Sequence, residues 1–412
     1  MTSPASSVPV LDVVRVREQF SALSRRVGSA PARFFDGAGG SQVPDVVIDA
    51  IADYLRHHNA NEGGAFETSR ETGEVLVQAH QAIADLLGVR EEQVAFGANM
   101  TTLNFALTRA LARTLAPGDE VIVTALDHEG NVSPWLLAAA DFGLVVRTAG
   151  VHPDGTLDVD ALEALIGPRT KVVAFTLASN VLGSVPDAAR ISAAAHAVGA
   201  LAWVDAVHMA PHRRLDVAAL GADVLLCSPY KFFGPHAGVA VLRQDLAETL
   251  PADRVRPADE TPAGHRFETG TLNHEALAAV PAAVDYLAGL GAGATRAERL
   301  TSAFAAIRAH EDQLTERFLS GLAGFGHVRL YGLADPARLA ERTPTFMLRV
   351  EGETPEQTCD RLGQQGFFTW HGDLYAPGAI KAVGLDAAGG VRVSFLHYNA
   401  AEEVDALLSA LA

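Results

Sequence analysis

From residue 120 to residue 243, short apolar runs alternate with Ala-rich stretches of helical character. The runs occupy 121–125, 144–146, 172–177, 201–204 and 224–227. Each is continuous and rich in Val, Leu or Ile, the pattern of a strand covered on both faces. Between them, residues 187–198 predict a helix stopped by Gly199. Strand–helix–strand repetition at this spacing predicts an α/β fold with a mainly parallel, doubly wound sheet.

Beyond this region the pattern changes. A helix is predicted over 275–290, then a Gly-rich GLGAGAT and a long helix over 296–322 with Ala, Leu and Phe at helical spacing. Three separated strands come next, HVRLYG, TFMLRV and VRVSFL, with 355–363 helical between the last two. Their apolar/polar alternation predicts a sheet with one face on a core and the other partly wet. The expected organisation is a large α/β domain over 36–290 and a small α+β domain made of 1–35 together with 291–412. No internal repeat interrupts it.

Composition narrows the function classes. Of 412 residues, 49% are hydrophobic, the proportion of a packed globular protein. Asp and Glu outnumber Lys and Arg by 49 to 32, so a nucleic acid or an anionic membrane is not expected as the main partner. No run reaches the roughly 18 apolar residues of a membrane helix, and the start MTSPASSVPVLDVVRVREQF carries no basic leader, so a cytoplasmic protein is expected. The two cysteines, Cys227 and Cys359, are too few for a disulfide framework or a cysteine-based zinc site. GxGxxG, GxxxxGK, GxSxG and HExxH are all unmatched, and the adjacent His57 and His58 are expected on different faces, so no metal site is expected.

Lysine is the informative residue. There are three, and Lys171 and Lys381 occupy positions suited to ordinary solvated lysines. Lys231 differs: it lies in CSPYKFFGPHAGVAV among Tyr230, Phe232 and Phe233, just past the predicted strand 224–227. Apolar surroundings disfavour an ammonium and leave the amine available as a nucleophile. Open α/β sheets place ligands just beyond the carboxyl ends of their strands. Asp205 closes the strand LAWVD; beside a Schiff-base lysine, such a carboxylate can hold a pyridine nitrogen protonated.

With these pieces in place the chain resembles the class V aminotransferase family, in its cysteine desulfurase-like branch. The matching segments run in order: FFDGAGGSQVP, GANMTTLNFAL, PGDEVIVTALDHEGNVSPW, TLASNVLGSVPDAARI, AHAVGALAWVDAVHMAPH, CSPYKFFGP, RFETGTLN and RVSFLHYN. The resemblance implies a pyridoxal-phosphate-dependent enzyme of the aspartate aminotransferase fold (fold type I), with a large, mainly parallel, seven-stranded-type sheet. It implies Lys231 as the Schiff-base lysine, Asp205 at the ring nitrogen and His128 stacked on the ring. It places the cofactor phosphate near Asn99, Met100 and Thr101 at a helix start, where free N–H groups favour a dianion, with hydroxyls of Ser228 and Tyr230 added. Asn180 and His208 match positions that bond the ring hydroxyl, and Arg392 matches the arginine taking the substrate carboxylate. Thr271 resembles a residue reaching the partner subunit's phosphate, which implies a homodimer with shared active sites. Two positions depart from the family's habit: Tyr230 stands where His is common, and His208 where Gln is frequent.

One departure bears on the reaction. A desulfurase carries its persulfide on a cysteine in a motif like R-x-G-x-x-C-A. Here the corresponding stretch is WHGDLYAPG, with Trp370 for the arginine and Tyr375 for the cysteine. Cys227 ends a core strand, and Cys359 sits on a predicted helix where a small buried side chain is expected. His57, Glu62 and Arg70, in HHNANEGGAFETSRET, are candidates to line a substrate entrance. The expected function is chemistry at Cα of a small amino-acid substrate, with β-elimination at cysteine or a cysteine S-conjugate favoured and Tyr375 as an acid or a pocket wall. Transamination, decarboxylation with oxidative deamination, persulfide desulfuration and a non-catalytic binding role are the rivals.

Overall fold

A computed structural model describes residues 10–257 and 260–412. Its larger sheet has seven strands: β1 (Val94–Gly97), β2 (Glu120–Thr124), β3 (Val145–Ala149), β4 (Thr170–Thr176), β5 (Leu201–Asp205), β6 (Val224–Cys227) and β7 (Gly238–Leu242). They lie in the order β1-β7-β6-β5-β4-β2-β3. Neighbours from β6 to β3 run parallel, whereas β7 is antiparallel to both β1 and β6. The parallel interior agrees with the expected fold class. Strands β1 and β7 were not among the runs singled out from the sequence. The predicted run at 144–146 begins one residue early, and β3 proves to be the wet edge of the sheet, with Val145 39% exposed.

Helices cover both faces. They include α1 (Glu67–Leu87), α2 (Met100–Ala112), α3 (Glu129–Phe142) and α4 (Ala188–Ala197). The last is capped by the Asp187 side chain, and Gly199 follows it at φ +76°, a left-handed conformation that costs glycine little. On one face, Trp203 of β5 meets Trp135 of α3 edge-on at 5.0 Å. Its indole N–H donates to Asn104 Oδ1 of α2 at 2.8 Å. Both rings are fully buried, so the polar handle of Trp203 is satisfied inside the core.

The chain continues through α5 (His274–Gly289) and α6 (Arg296–Leu322) into a second sheet. Its strands are β8 (Val328–Tyr331), β9 (Thr345–Val350), β10 (Trp370–Gly372) and β11 (Gly390–Ser394), in the antiparallel order β8-β9-β11-β10. Helices α7 (Pro355–Gln364) and α8 (Ala401–Leu411) complete this part. The alternation read in the sequence is there, but its meaning differs. The central strands β9 and β11 are buried almost throughout. Phe346, Leu348, Val391 and Val393 pack with Phe318 of α6 and Leu407 of α8. The opposite face carries Thr345, Arg392 and Ser394, and it turns toward the larger sheet instead of water.

Of the opening segment, residues 1–9 lie outside the described residues. From Val10 onward the N-terminal chain is tied to both parts. Arg33–Phe34 pairs in parallel with Phe367–Phe368, Arg17 bonds Glu403 at 3.0 Å, and the Phe20 ring meets Phe233, Tyr286 and Tyr398. No helix is long and apolar enough to cross a membrane, among the described residues.

Truncating Trp203 to Ala removes a fully buried ring and takes one of two donors from the Asn104 side-chain carbonyl, which keeps Thr108 Oγ1 at 3.3 Å. The expected loss is about 3–5 kcal/mol, read as a lowered midpoint in urea denaturation, with Trp203→Phe losing clearly less.

Candidate active site

The carboxyl ends of the parallel strands converge on one cavity of about 260 Å3. β1 leads to Asn99, Met100 and Thr101, β2 to His128, β4 to Thr176 and Asn180, β5 to Asp205 and His208, and β6 to Ser228, Tyr230 and Lys231. The second sheet adds Arg392 from β11, Trp370 from β10 and the loop with Leu374 and Tyr375. Twelve of the thirteen residues proposed from sequence for catalysis or cofactor binding therefore line one space; the thirteenth is Thr271.

Lys231 is 8% exposed, and its Nζ donates to the Ala38 carbonyl at 2.5 Å. Burial, and then the Arg392 charge, push its pKa down to about 7, against an opposing pull from Asp205. Near neutrality a substantial fraction is the free amine. Asp205 accepts the Val207 N–H at 2.8 Å, and burial raises its carboxyl to about 6 while Lys231 pulls it down. Burial also lowers His128 to about 4, aided by the charges of Lys231 and Arg392, so the ring is neutral. Its Nδ1 accepts the Gly130 N–H at 2.9 Å, which fixes the ring at the start of α3.

Arg392 reaches across from the second sheet. One nitrogen donates to the Asn180 carbonyl at 3.1 Å, while the buried Nε has no hydrogen-bond partner among the described residues. A guanidinium with an unspent donor beside a cavity is suited to a carboxylate. Gly39 makes room for it: a Cβ there would lie 3.1 Å from Arg392 Nη2 and 2.9 Å from Trp370 Nε1. Burial raises Asp36 to about 6 against the opposing charge of Arg392. Sequence reasoning did not assign Asp36, although it stands in the FFDGAGG segment that contributes to the resemblance.

Asn180 and His208, expected at the ring hydroxyl, also have partners within the protein. The Asn180 amide donates to the Leu374 carbonyl at 2.9 Å, and its buried Oδ1 has no partner among the described residues. His208 Nε2 lies 3.0 Å from Thr345 Oγ1 and 3.3 Å from Thr343 Oγ1. Its pKa lies well below the ordinary value because of burial first and nearby cations second. Leu374 and Tyr375 have φ of +51° and +60°, a conformation costing of order 1–3 kcal/mol per residue. The Asn180 bond, together with the Glu129 N–H donating to the Tyr375 carbonyl at 2.8 Å, holds this loop. Tyr375 thereby sits 5.5 Å from the His128 ring.

Other expectations fall outside the cavity. Thr271 lines a separate cleft with His236 and Thr102. His57, Glu62 and Arg70 do not reach the pocket. His57 and His58 do not point to different faces: both Nε2 atoms approach Asp53, at 3.8 and 3.4 Å, because a wide π-helical turn over Tyr54–His58 replaces the α-helical spacing. Neither cysteine lines the pocket. Cys227 is fully buried and its thiol is pushed up by burial. Cys359 is half-buried, less than expected, with Thr369 Oγ1 at 3.3 Å from its sulfur.

The residues present fit pyridoxal phosphate. Lys231 is a low-pKa amine, Asp205 is a buried carboxylate, and Asn99 caps α2 beside the cavity. Unspent polar atoms on Asn180 and Arg392 lie in residues lining the same space.

The model of the class-V aminotransferase family matches residues 33–407. A relative named "Probable cysteine desulfurase" from Mycolicibacterium paratuberculosis is 31% identical over 98% of this chain, and the chain spans only 58% of that protein's length. "Aminotransferase-like protein FGM3" from Gibberella zeae is 32% identical, with 97% of each chain covered. Among solved structures, an apo cysteine desulfurase from Thermococcus onnurineus superposes with a TM-score of 0.83 at 26% identity, covering 92% of this chain and 94% of that one.

Because the amine and not the ammonium is the nucleophile, uptake of pyridoxal phosphate by the apoprotein should accelerate as pH rises through about 7 and level off above it. Stopped-flow absorbance across pH 5.5–9 reads this directly (roughly the span over which such a group titrates), and Lys231→Ala should abolish the bound-cofactor band.

Proposed function

The chain belongs to the class-V aminotransferase family, and from that premise we propose that it catalyses β-elimination at cysteine or a cysteine S-conjugate. The observation that carries this reading is the composition of the cavity: a buried amine, a carboxylate-binding guanidinium and a tyrosine at the mouth, with no thiol lining it among the described residues. A persulfide route needs a thiolate that reaches the substrate sulfur. Neither Cys227 nor Cys359 is placed for that, and burial raises the pKa of both.

Pyridoxal phosphate, when bound, supplies an aldehyde that condenses with amines and a ring that withdraws electrons from Cα. The rest is the work of this chain. Arg392 would take the substrate α-carboxylate through its unspent Nε donor. The Lys231 amine, near its own pKa at neutral pH, removes the Cα proton as general base. The Cβ–S bond breaks with its electron pair passing to sulfur, and the Tyr375 hydroxyl protonates the leaving thiol. With one solvent water consumed in hydrolysing the eliminated three-carbon product, the overall products are a thiol (or sulfide), ammonia and pyruvate. Asp205, 4% exposed and anchored by Val207 N–H, would keep the ring nitrogen of the bound cofactor protonated. Neutral His128 would pack against the cofactor ring, and the start of α2 with Ser228 would hold its phosphate; Met100 N–H already meets Ser228 Oγ at 3.1 Å.

In this proposal the larger unit, 36–290, grips the cofactor, and the smaller, 1–35 with 291–412, supplies Arg392 and Tyr375. Thr271, outside its own protomer's pocket, serves the phosphate of a second copy in a homodimer.

Incubation with cysteine and with S-alkyl cysteine should release pyruvate and the matching thiol in equal amounts, without carbon dioxide or peroxide. Accumulation of a protein persulfide would overturn the proposal. Tyr375→Phe keeps the ring and removes the proton donor, so kcat/KM on the S-alkyl substrate should fall by about 100-fold, while the bound-cofactor spectrum stays unchanged.

A further inference from the structure

Away from the cavity, His80, His265 and Glu268 offer three metal-ligand atoms within 4.8 Å of one another. His80 lies on α1 and is 3% exposed. His265 and Glu268 belong to the turn around Gly264–Phe267, which packs beside β1. We propose that these three side chains form a binding site for a divalent transition-metal ion of the zinc type.

The hydrogen bonds prepare the ligands. His80 Nδ1 lies 2.8 Å from the Leu76 carbonyl. That oxygen can only accept, so Nδ1 carries a proton, and Nε2 is the nitrogen that a metal ion would take. Nε2 faces Glu268 Oε1 at 2.8 Å. Two acceptor atoms this close require a cation between them, either a proton or a metal ion. A metal ion would replace the proton shared by Nε2 and Oε1 and would add His265 as a third ligand. The His265 ring is stacked against the His80 ring at 4.1 Å, tilted by 35°, and its Nδ1 comes within 4.0 Å of Glu268 Oε2.

Glu268 is itself aimed by the Phe96 N–H, which donates to Oε1 at 2.8 Å. An imidazole donating its second nitrogen to a backbone carbonyl, beside a carboxylate held by a backbone amide, is the outer support usual around metal ligands. Two imidazoles and one carboxylate suit zinc, at bond lengths of about 2.0–2.2 Å. To share one ion at those lengths, atoms up to 4.8 Å apart would have to close by roughly 1 Å, while Nε2 and Oε1, now 2.8 Å apart, would open slightly. His265 and Glu268 are only partly buried, so an ion can enter from solvent and keep a water in its remaining position. The site stands outside the catalytic cavity. Its consequence is mechanical: it clamps α1 to the segment running from Glu268 through Thr271 to Asn273, the residue capping α5.

The test uses the holoenzyme, freed of adventitious metal by a chelator and titrated with zinc or cobalt(II) by calorimetry. Wild type should bind one ion per protomer, with cobalt giving visible ligand-field bands. His265→Ala and Glu268→Gln should each weaken binding at least about tenfold, while His57→Ala leaves it unchanged. Zinc should also raise the thermal midpoint of wild type but not that of His265→Ala, each compared with its own metal-free midpoint. Absence of a stoichiometric ion in wild type, or equal affinity in both ligand variants, would overturn the proposal.

Discussion

The desolvation of Lys231 is the constraint from which the chemistry of the site follows. Phe232 and Phe233 are fully buried beside it, and the amine is left with the Ala38 carbonyl as its hydrogen-bond partner. In water the same amine would be protonated and inert near pH 7. Here the ammonium is disfavoured enough for base and acid forms to coexist. That environment exists because β6 ends inside a sheet covered on both faces, and the turn over Pro229–Lys231 carries the side chain over the carboxyl edge. The same burial keeps His128 neutral and raises Asp205, so one low-dielectric edge sets three protonation states at once.

A burial of this kind works only if the two sheets meet face to face. Arg392, fully withdrawn from water in the interior of β11, has its pKa pulled down to about 10 by burial against the opposing charges of Asp36 and Tyr230. It is tolerated there because it bonds Asn180 across the gap and faces Asp36. The loop bearing Tyr375 depends on the same junction. Its two left-handed residues are held by Asn180 and by Glu129 N–H, both from the larger sheet's side. Backbone strain of this sort persists where the surroundings over-determine it.

How much of this was legible in the sequence differs by residue. Strands β2, β4, β5 and β6 and helix α6 were legible because their patterns are long or uninterrupted. Lys231 and Asp205 stood out because each closes or follows an apolar strand. Asp36 was not legible, since an acid in a Gly-rich segment reads as a turn, and its carboxyl matters only beside Arg392. The polar positions of β9 and β11 were read as wet because alternation records which residues share a face, not what covers that face.

The sequence by itself determined the family, the parallel interior of the large sheet and the place of Lys231 just past an apolar strand. These rest on local pattern and residue identity, which the chain carries at every position. Only the tertiary structure decided that Thr345, Arg392 and Ser394 face a second sheet, and that Asn180 spends its amide on the Tyr375 loop. It also decided that His80 meets Glu268 across 188 residues of chain. Such pairings depend on how two separately built sheets are brought together, and no spacing along one chain encodes that distance.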